Sequence, residues 1–210
     1  LMASSLSHDI RTPIACLRFG LEAAQDCPNN EKRLEYLARM ENDLDQMESM
    51  LKSYLAFATL EQKSNQLTFN HSDLQTYILT LIHQIEPKLE QRGLRISHRV
   101  KVRDICADLH WLARAIVNLL SNACDFAESE ISISATSTNE YITISIEDDG
   151  PGVPEDQYKN VFKPFFRLDK SRSLNQSGVG LGLAIVEDII NAHGGNVQLN
   201  KSKYNGLQVK

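Results

Sequence analysis

The segment Asp148-Asp149-Gly150-Pro151-Gly152 constrains this chain most, together with Gly178-Val179-Gly180-Leu181-Gly182 beyond a polar, basic stretch. An alternating apolar run, residues 141–147, precedes the first glycine cluster, and an apolar-periodic run, residues 183–192, follows the second. Glycine admits positive φ and lets backbone approach a ligand closely. A helix that opens just behind glycines offers free N–H groups and a positive dipole end to an anion. Strand, carboxylate, covering loop and helix N-terminus in this order read as a nucleotide site. No Gly-x-x-x-x-Gly-Lys-Ser/Thr occurs, so the site is not a P-loop. Gly178-x-Gly180-x-Gly182 follows a loop, and has one residue too few before its third glycine for the dinucleotide fingerprint.

The rest of the chain divides at residues 63–66. Residues 1–26 place Ala3, Leu6, Ile10, Pro13, Leu17, Gly20 and Ala24 at helical spacing, with a kink expected near residues 9–13 because Pro13 removes a hydrogen bond. Turn signals over residues 26–30 separate this helix from a second one, residues 31–62. There Leu37, Met40, Leu44, Met47, Leu51, Tyr54 and Ala58 keep a 3,4 rhythm, the pattern of a helical-bundle seam. One hairpin covers such a stripe poorly and two cover it well, so residues 1–62 predict an all-α hairpin that forms a four-helix bundle as a homodimer. After the linker 63–66, residues 67–210 predict an α/β domain. Its expected elements are a strand at 67–71, a helix from a Ser72 cap to 91, a strand at 94–102, and a helix at 109–128 behind an Asp108 cap. Strands at 130–136 and 141–148, a helix at 179–193, and strands near 196–201 and 206–210 follow.

Composition excludes several classes. A net charge of −5 without a dense basic run argues against a nucleic-acid binder. No apolar run approaches the ~18–20 residues of a membrane helix, and no signal peptide is evident. Cys16, Cys27, Cys106 and Cys124 are scattered without metal-like spacing and read as reduced packing residues. The first residues already look helical, which predicts a fragment of a longer protein.

Three clusters carry candidate chemistry. Asn118 and Asn122 lie four apart on one helical face, as a solvated pair or as oxygen ligands for Mg²⁺. Asp148 either opens a turn or accepts a hydrogen bond from the exocyclic amine of adenine. In Phe162-Lys163-Pro164-Phe165-Phe166-Arg167 the aromatics form an anchor, and Lys163, Arg167, Lys170 and Arg172 are candidates to face phosphates. In Ser7-His8-Asp9-Ile10-Arg11-Thr12-Pro13, His8 lies off the apolar seam with Thr12 four residues on. A Ser-His-Asp hydrolytic relay is excluded because successive helical side chains diverge by about 100°. A histidine nucleophile with an acidic neighbour as base fits better.

Residues 7–13 resemble the H-box of two-component sensor histidine kinases, commonly Ser-His-Glu-Leu-Arg-Thr-Pro. Residues 118–122 resemble the N-box, 148–152 the first glycine box, 162–167 the F-box and 178–182 the second glycine box, in the family's order and across essentially the whole chain. Residues 147–152 and 165–169 resemble the RstB- and EnvZ-like inner-membrane subgroup. The resemblance implies a dimerisation and phosphotransfer bundle (1–62) followed by a Bergerat-fold (GHKL) α/β sandwich that binds ATP with Mg²⁺ (67–210). It implies phosphorylation of His8 at Nε2, with Asp9 as base at Nδ1, and transfer to an aspartate of a response-regulator receiver domain. Thr12 matches the position tied to the reverse phosphatase activity, where it orients the attacking water. Asn122 matches the Mg²⁺ ligand, Asn118 the adjoining phosphate shell and Asp148 the adenine reader. Gly150 and Gly152 belong to the first glycine box. The resemblance further implies that Arg167 would sit near the γ-phosphate and that the backbone at Gly178, Gly180 and Gly182 would close on the phosphates. Regulator contacts are expected on the first helix around Cys16 and Phe19, and the chain is expected to be the cytoplasmic core of a bacterial inner-membrane receptor.

Two positions depart from the family pattern. Asp125-Phe126 stand where Lys or Arg and then Tyr are frequent, which predicts weaker nucleotide affinity or another source of positive charge. Val179 replaces a frequent Thr, with little consequence expected. Asp125 also keeps open a phosphatase-dominant or weakly active regulatory dimer. A Bergerat ATPase of the chaperone or DNA-repair kind is disfavoured, because such proteins have no use for the histidine hairpin.

Overall fold

The computed structural model describes residues 2–63, 67–138, 140–168 and 180–210. The chain forms two compact units, one of residues up to Ala58 and one of Thr59–Leu168 with Gly180–Lys210.

The first unit is a helical hairpin. Helix α1 (Met2–Asp26) runs on through Pro13, and α2 spans Asn30–Lys63. Asn29 sets the start of α2: its Oδ1 accepts from the amides of Glu31 at 2.8 Å and Lys32 at 3.1 Å, satisfying donors the first turn leaves open. Arg33 donates to the Cys27 carbonyl at 2.7 Å and closes the turn. Pro13, Gly20 and Ala24 of the predicted seam are buried. Gly20 lets the helices approach, since a Cβ there would sit 2.8 Å from Met40 Cγ. Leu37, Leu44 and Leu51, at the expected rhythm on α2, remain 45–55% exposed in the single chain.

The second unit is a mixed five-stranded sheet with helices against it. The elements are β1 (Asn70–Asp73), α3 (Leu74–Arg92), β2 (Arg95–Val100), β3 (Asp104–Ala107), α4 (Leu109–Phe126), β4 (Glu130–Ser137), β5 (Ile142–Asp148), α5 (Gly182–Ala192), β6 (Leu199–Lys201) and β7 (Leu207–Val209). The sheet order is β2-β4-β5-β7-β6; β1 and β3 form a separate antiparallel pair. β2 runs parallel to β4, and the other neighbours are antiparallel. Alternation sorts the faces. Ile131, Ile133, Ala135 and Ile146 join Ile78, Ile82, Ile116 and Leu120 of α3 and α4 in one core. Ser132 and Ser134 pair with Glu147 and Ser145 on the opposite face.

Several boundaries differ from the sequence reading. The first strand of the unit starts at Asn70 rather than residue 67, because its partner β3 sets the register. Asp73, not Ser72, caps α3: its carboxylate accepts from the Gln75 amide at 3.2 Å and the Thr76 hydroxyl at 2.7 Å. α4 ends at Phe126, two residues early, and α5 opens at Gly182 rather than 179. A 3-10 turn over Glu155–Gln157 follows the first glycine cluster, where the sequence reads as loop. Asp108 caps α4 as expected, accepting from the Trp111 amide. It also accepts from the Thr68 amide at 2.9 Å. Its own amide donates to His193 Nε2 at 3.1 Å, while His193 Nδ1 lies 2.8 Å from the Ile189 carbonyl. His193 thus ties the end of α5 to the start of α4, which makes these helices antiparallel neighbours. Of the cysteines, Cys124 is buried, whereas Cys16 and Cys106 are exposed and do not pack as expected.

Candidate functional site

α4 and α5 bring one of the two predicted amides, Asn122, to a helix N-terminus. Leu112, Ile116, Leu120 and Ala123 turn α4's apolar side into the core, leaving Asn118 and Asn122 on the other side. A Cβ added to Gly182, the first residue of α5, would meet the Asn122 amide at 3.5 Å. Asn122 therefore lies against the turn whose free N–H groups suit an anion. Nδ2 of Asn118 is buried without a hydrogen-bond partner among the described residues, a donor that costs free energy until something accepts from it.

Asp148 ends β5 and is buried. Its Oδ1 accepts from the Gly150 amide at 2.9 Å and the Leu207 amide at 3.1 Å. Oδ2 takes no hydrogen bond among the described residues, so one oxygen is fixed and the other is left for a donor. Burial pushes the carboxyl up from its ordinary value; the two amides pull it down, and neighbouring Asp149 adds to the rise. The backbone around it leaves no room for side chains. A Cβ on Gly150 would overlap the Phe126 carbonyl, with its carbon 2.9 Å away. A Cβ on Gly206 would lie 2.6 Å from the Gly150 nitrogen and closer still to Asp148. Gly152 has φ +70° and lies against Gly206. Sequence reasoning missed Gly206: it lies 58 residues beyond Asp148 and belongs to no motif.

Asp149 was likewise unassigned. Its carboxylate accepts from the amides of Glu128, Ser129 and Glu130 and from the Ser129 hydroxyl at 2.6 Å. Burial alone would raise its pKa, but these hydrogen bonds outweigh it and hold the group at about 2. The pair thus divides its work, Asp149 clasping the α4–β4 connection while Asp148 faces the site. A depressed carboxylate stabilises the fold fully above its unfolded pKa, and that contribution fades as pH falls through the folded value. Discounted for solvent screening, Asp149→Asn is expected to cost on the order of 1–2 kcal/mol at pH 7. The difference from the parent chain should shrink between pH 4 and about 2, read by thermal melts across that range.

The aromatic segment is an anchor as predicted: Phe162 and Phe166 pack against a cluster of Val161, Leu199 and Val209. Phe165 has φ +64° and its amide donates to the Gly180 carbonyl at 2.9 Å. Gly180 itself has φ +77°, and a Cβ there would stand 2.7 Å from the Phe166 carbonyl, so this close crossing requires glycine. Lys163 donates to Asn160 Oδ1 at 2.7 Å and lines a groove with Lys159, Glu187 and Leu199. Arg167 is half-buried. Gly178, Lys170 and Arg172 lie outside the described residues. His8, Asp9 and Thr12 fall on α1, and their side chains are also outside the described set. Cys16 and Phe19 are exposed on that helix, Phe19 at 70%.

Asp125 is tied to α3. Its Oδ1 lies 3.0 Å from Lys88 Nζ and 3.4 Å from Arg92 Nη2, and Lys88 also donates to Ser121 Oγ at 2.7 Å. The positive charge at this end of α4 therefore comes from α3. Asp125→Lys would set three cations together, and is expected to lower the melting midpoint by about 2–5 °C. If the position adjoins the phosphates, the same change tightens ATP binding; an unchanged calorimetric affinity would put it outside their reach.

Comparison with known proteins agrees with both units. Residues 1–63 match the His Kinase A (phospho-acceptor) domain, and residues 107–210 match the histidine kinase-, DNA gyrase B-, and HSP90-like ATPase family. Sensor protein RstB of Escherichia coli K12 is 31% identical over 99% of the chain, which spans 47% of RstB. The solved structure of full-length ShkA in complex with AMPPNP superposes with a TM-score of 0.72 at 26% identity, over 98% of this chain and 44% of that one. Histidine kinase ThkA in complex with response regulator protein TrrA gives 0.81 at 22% identity, over 99% and 59%. The second unit is thus an α/β sandwich of the Bergerat type, and the chain belongs to the two-component sensor histidine kinases, related to RstB.

Proposed function

We propose that this chain is the catalytic core of a sensor histidine kinase that binds ATP with Mg²⁺, phosphorylates its own His8 and passes the phosphoryl group to an aspartate of a response regulator. The observation that carries the reading is the Asp148 site: one carboxylate oxygen fixed by two amides, its neighbour open, walled by glycines, with the Asn122 amide at the start of α5.

The residues present fit the nucleotide. Asp148 Oδ2 accepts from the adenine amine, and the unpartnered Asn118 Nδ2 donates to a phosphate oxygen. Asn122 offers its carbonyl to Mg²⁺, a cation that prefers oxygen ligands. We assign the amides of Gly178, Gly180 and Gly182 to the phosphates and Arg167 to added positive charge; Gly150 and Gly152 shape the floor. ATP supplies the phosphoryl group when bound. His8 Nε2 attacks the γ-phosphorus and ADP departs, while Asp9 takes the Nδ1 proton. Phosphoryl transfer asks mainly for positioning and charge neutralisation, which this residue set offers. Thr12 orients water for the reverse, phosphatase reaction.

Assembly follows from the hairpin. The half-exposed leucines of α2 support a homodimer through residues 1–62, joined by residues 63–66 to an ATP-binding domain at 67–210. The receiver domain of the regulator docks on α1 near Cys16 and Phe19. The chain spans 47% of RstB; on the resemblance of its motifs to the inner-membrane subgroup, we place it as the cytoplasmic portion of a bacterial inner-membrane sensor. Incubation with γ-labelled ATP and Mg²⁺ tests the reading: acid-labile, base-stable label on the protein is expected. Nucleotide binding without label would favour the phosphatase-dominant dimer instead.

A further inference from the structure

Among the described residues β6 is the last strand of the sheet, with β7 on one side only. Its hydrogen-bonding phase follows from the ends of the ladder. Gln198 and Lys210 exchange both backbone bonds at 2.8 Å, and the Ser202 amide donates to the Gly206 carbonyl. In the intervening register Leu199 faces Val209, Asn200 faces Gln208 and Lys201 faces Leu207. Antiparallel pairs alternate between bonded and non-bonded. Asn200 therefore bonds to β7, while the N–H and C=O groups of Leu199 and Lys201 point away from the sheet. Such a row is a ready template for another strand.

Beside this edge lies a cavity of about 580 Å³, bounded by Tyr158, Phe162, Lys159, Lys163 and Glu187 as well as β6 itself. Tyr158 and Phe162 give it half-buried aromatic walls, and Lys159 and Lys163 stand exposed at its rim. Glu187 is the acid among these residues; burial, and then Asp188, push its carboxyl up and disfavour its charge. With Lys201 exposed on the strand, the surroundings are cationic. Natural sheets hide or charge their edges; here the open edge adjoins an apolar, positively rimmed groove.

We propose that the β6 edge and this groove form a docking site for an extended, acidic segment of a partner protein, which joins the sheet as a sixth strand. Backbone bonds to Leu199 and Lys201 supply affinity, alternate apolar side chains of the segment enter the groove, and its carboxylates meet Lys159 and Lys163. The groove takes Lys163, a candidate to face phosphates in the sequence, into its rim, while its strand edge, Leu199–Lys201, lies outside the nucleotide motifs.

The test uses the full chain and a capped heptapeptide alternating glutamate and valine. Fluorescence anisotropy is expected to show saturable, micromolar binding, and hydrogen exchange should slow at the Leu199 and Lys201 amides of the parent protein. Lys201→Pro removes an outward N–H without breaking a bond to β7, and should weaken binding about tenfold, the equivalent of one good hydrogen bond. Lys159→Glu with Lys163→Glu should do at least as much, and a peptide N-methylated on its bonding edge should fail to bind. Three results would overturn the proposal. The first is no binding at millimolar peptide. The second is binding that leaves both amides exchanging as before. The third is amides already protected in the free protein and released on dilution, which would mean that a second copy covers the edge.

Discussion

Gly206→Ala is expected to cost about 3 kcal/mol and to weaken nucleotide binding on the order of 100-fold. The methyl group would enter the space between Asp148 and the Gly150 amide, where every near atom is backbone or a fixed carboxylate oxygen. Overpacking is normally relieved by a flexible side chain, and none stands here. Gly206 is not among the glycines with positive φ, so alanine suits its backbone and the whole effect comes from collision. Relief requires the turn before β7 to move, which pulls the Leu207 amide away from Asp148 Oδ1. A displacement of about 1 Å at a binding group costs on the order of 100-fold. A melting midpoint lowered by roughly 6–12 °C, together with an affinity loss of that size in calorimetry, is the expected pair of readings. An unchanged midpoint would show that the turn yields easily and that Asp148 is not held by it.

The second large effect is expected at His8. His8→Ala should reduce phosphoryl label by a factor on the order of 10³ or more, because removal of a nucleophile leaves no alternative acceptor. Nucleotide affinity should stay within about twofold, since Asn118, Asn122 and Asp148, assigned to the nucleotide, belong to the other unit. Alanine favours helix more than histidine does, so the hairpin should not weaken. The split between lost label and kept affinity distinguishes a missing acceptor from a damaged ATP site. Acid-labile label persisting in the variant would move the nucleophile elsewhere. Loss of both functions in Gly206→Ala and of one in His8→Ala would separate the roles of the two units.

Much of this protein is decided close to home in the chain. The 3,4 spacing of α2, the alternation of β4 and β5 and the cap at Asp108 rest on neighbours within a turn or a strand, where periodicity and local hydrogen bonding determine conformation. The motifs around Asp148, Asn122 and the glycines also point to a nucleotide site and a kinase family from residues alone. What tertiary structure decided lies between residues far apart in sequence. The Asp148 carboxylate is aimed by an amide 59 residues away, and its wall is a glycine outside any motif. Asp149 acts on amides 19 to 21 residues upstream. Asp125 finds its cations on α3, 33 residues from Arg92, and the capping role passes from Ser72 to Asp73 once β1 pairs with β3. Among the described residues, the free edge of β6 exists only because strand order puts β7 on one side of it. Local pattern specifies which elements form, through propensity and burial. Packing them together then chooses the contacts, because carboxylates and amides pair with whatever donors and acceptors the fold brings within 3 Å.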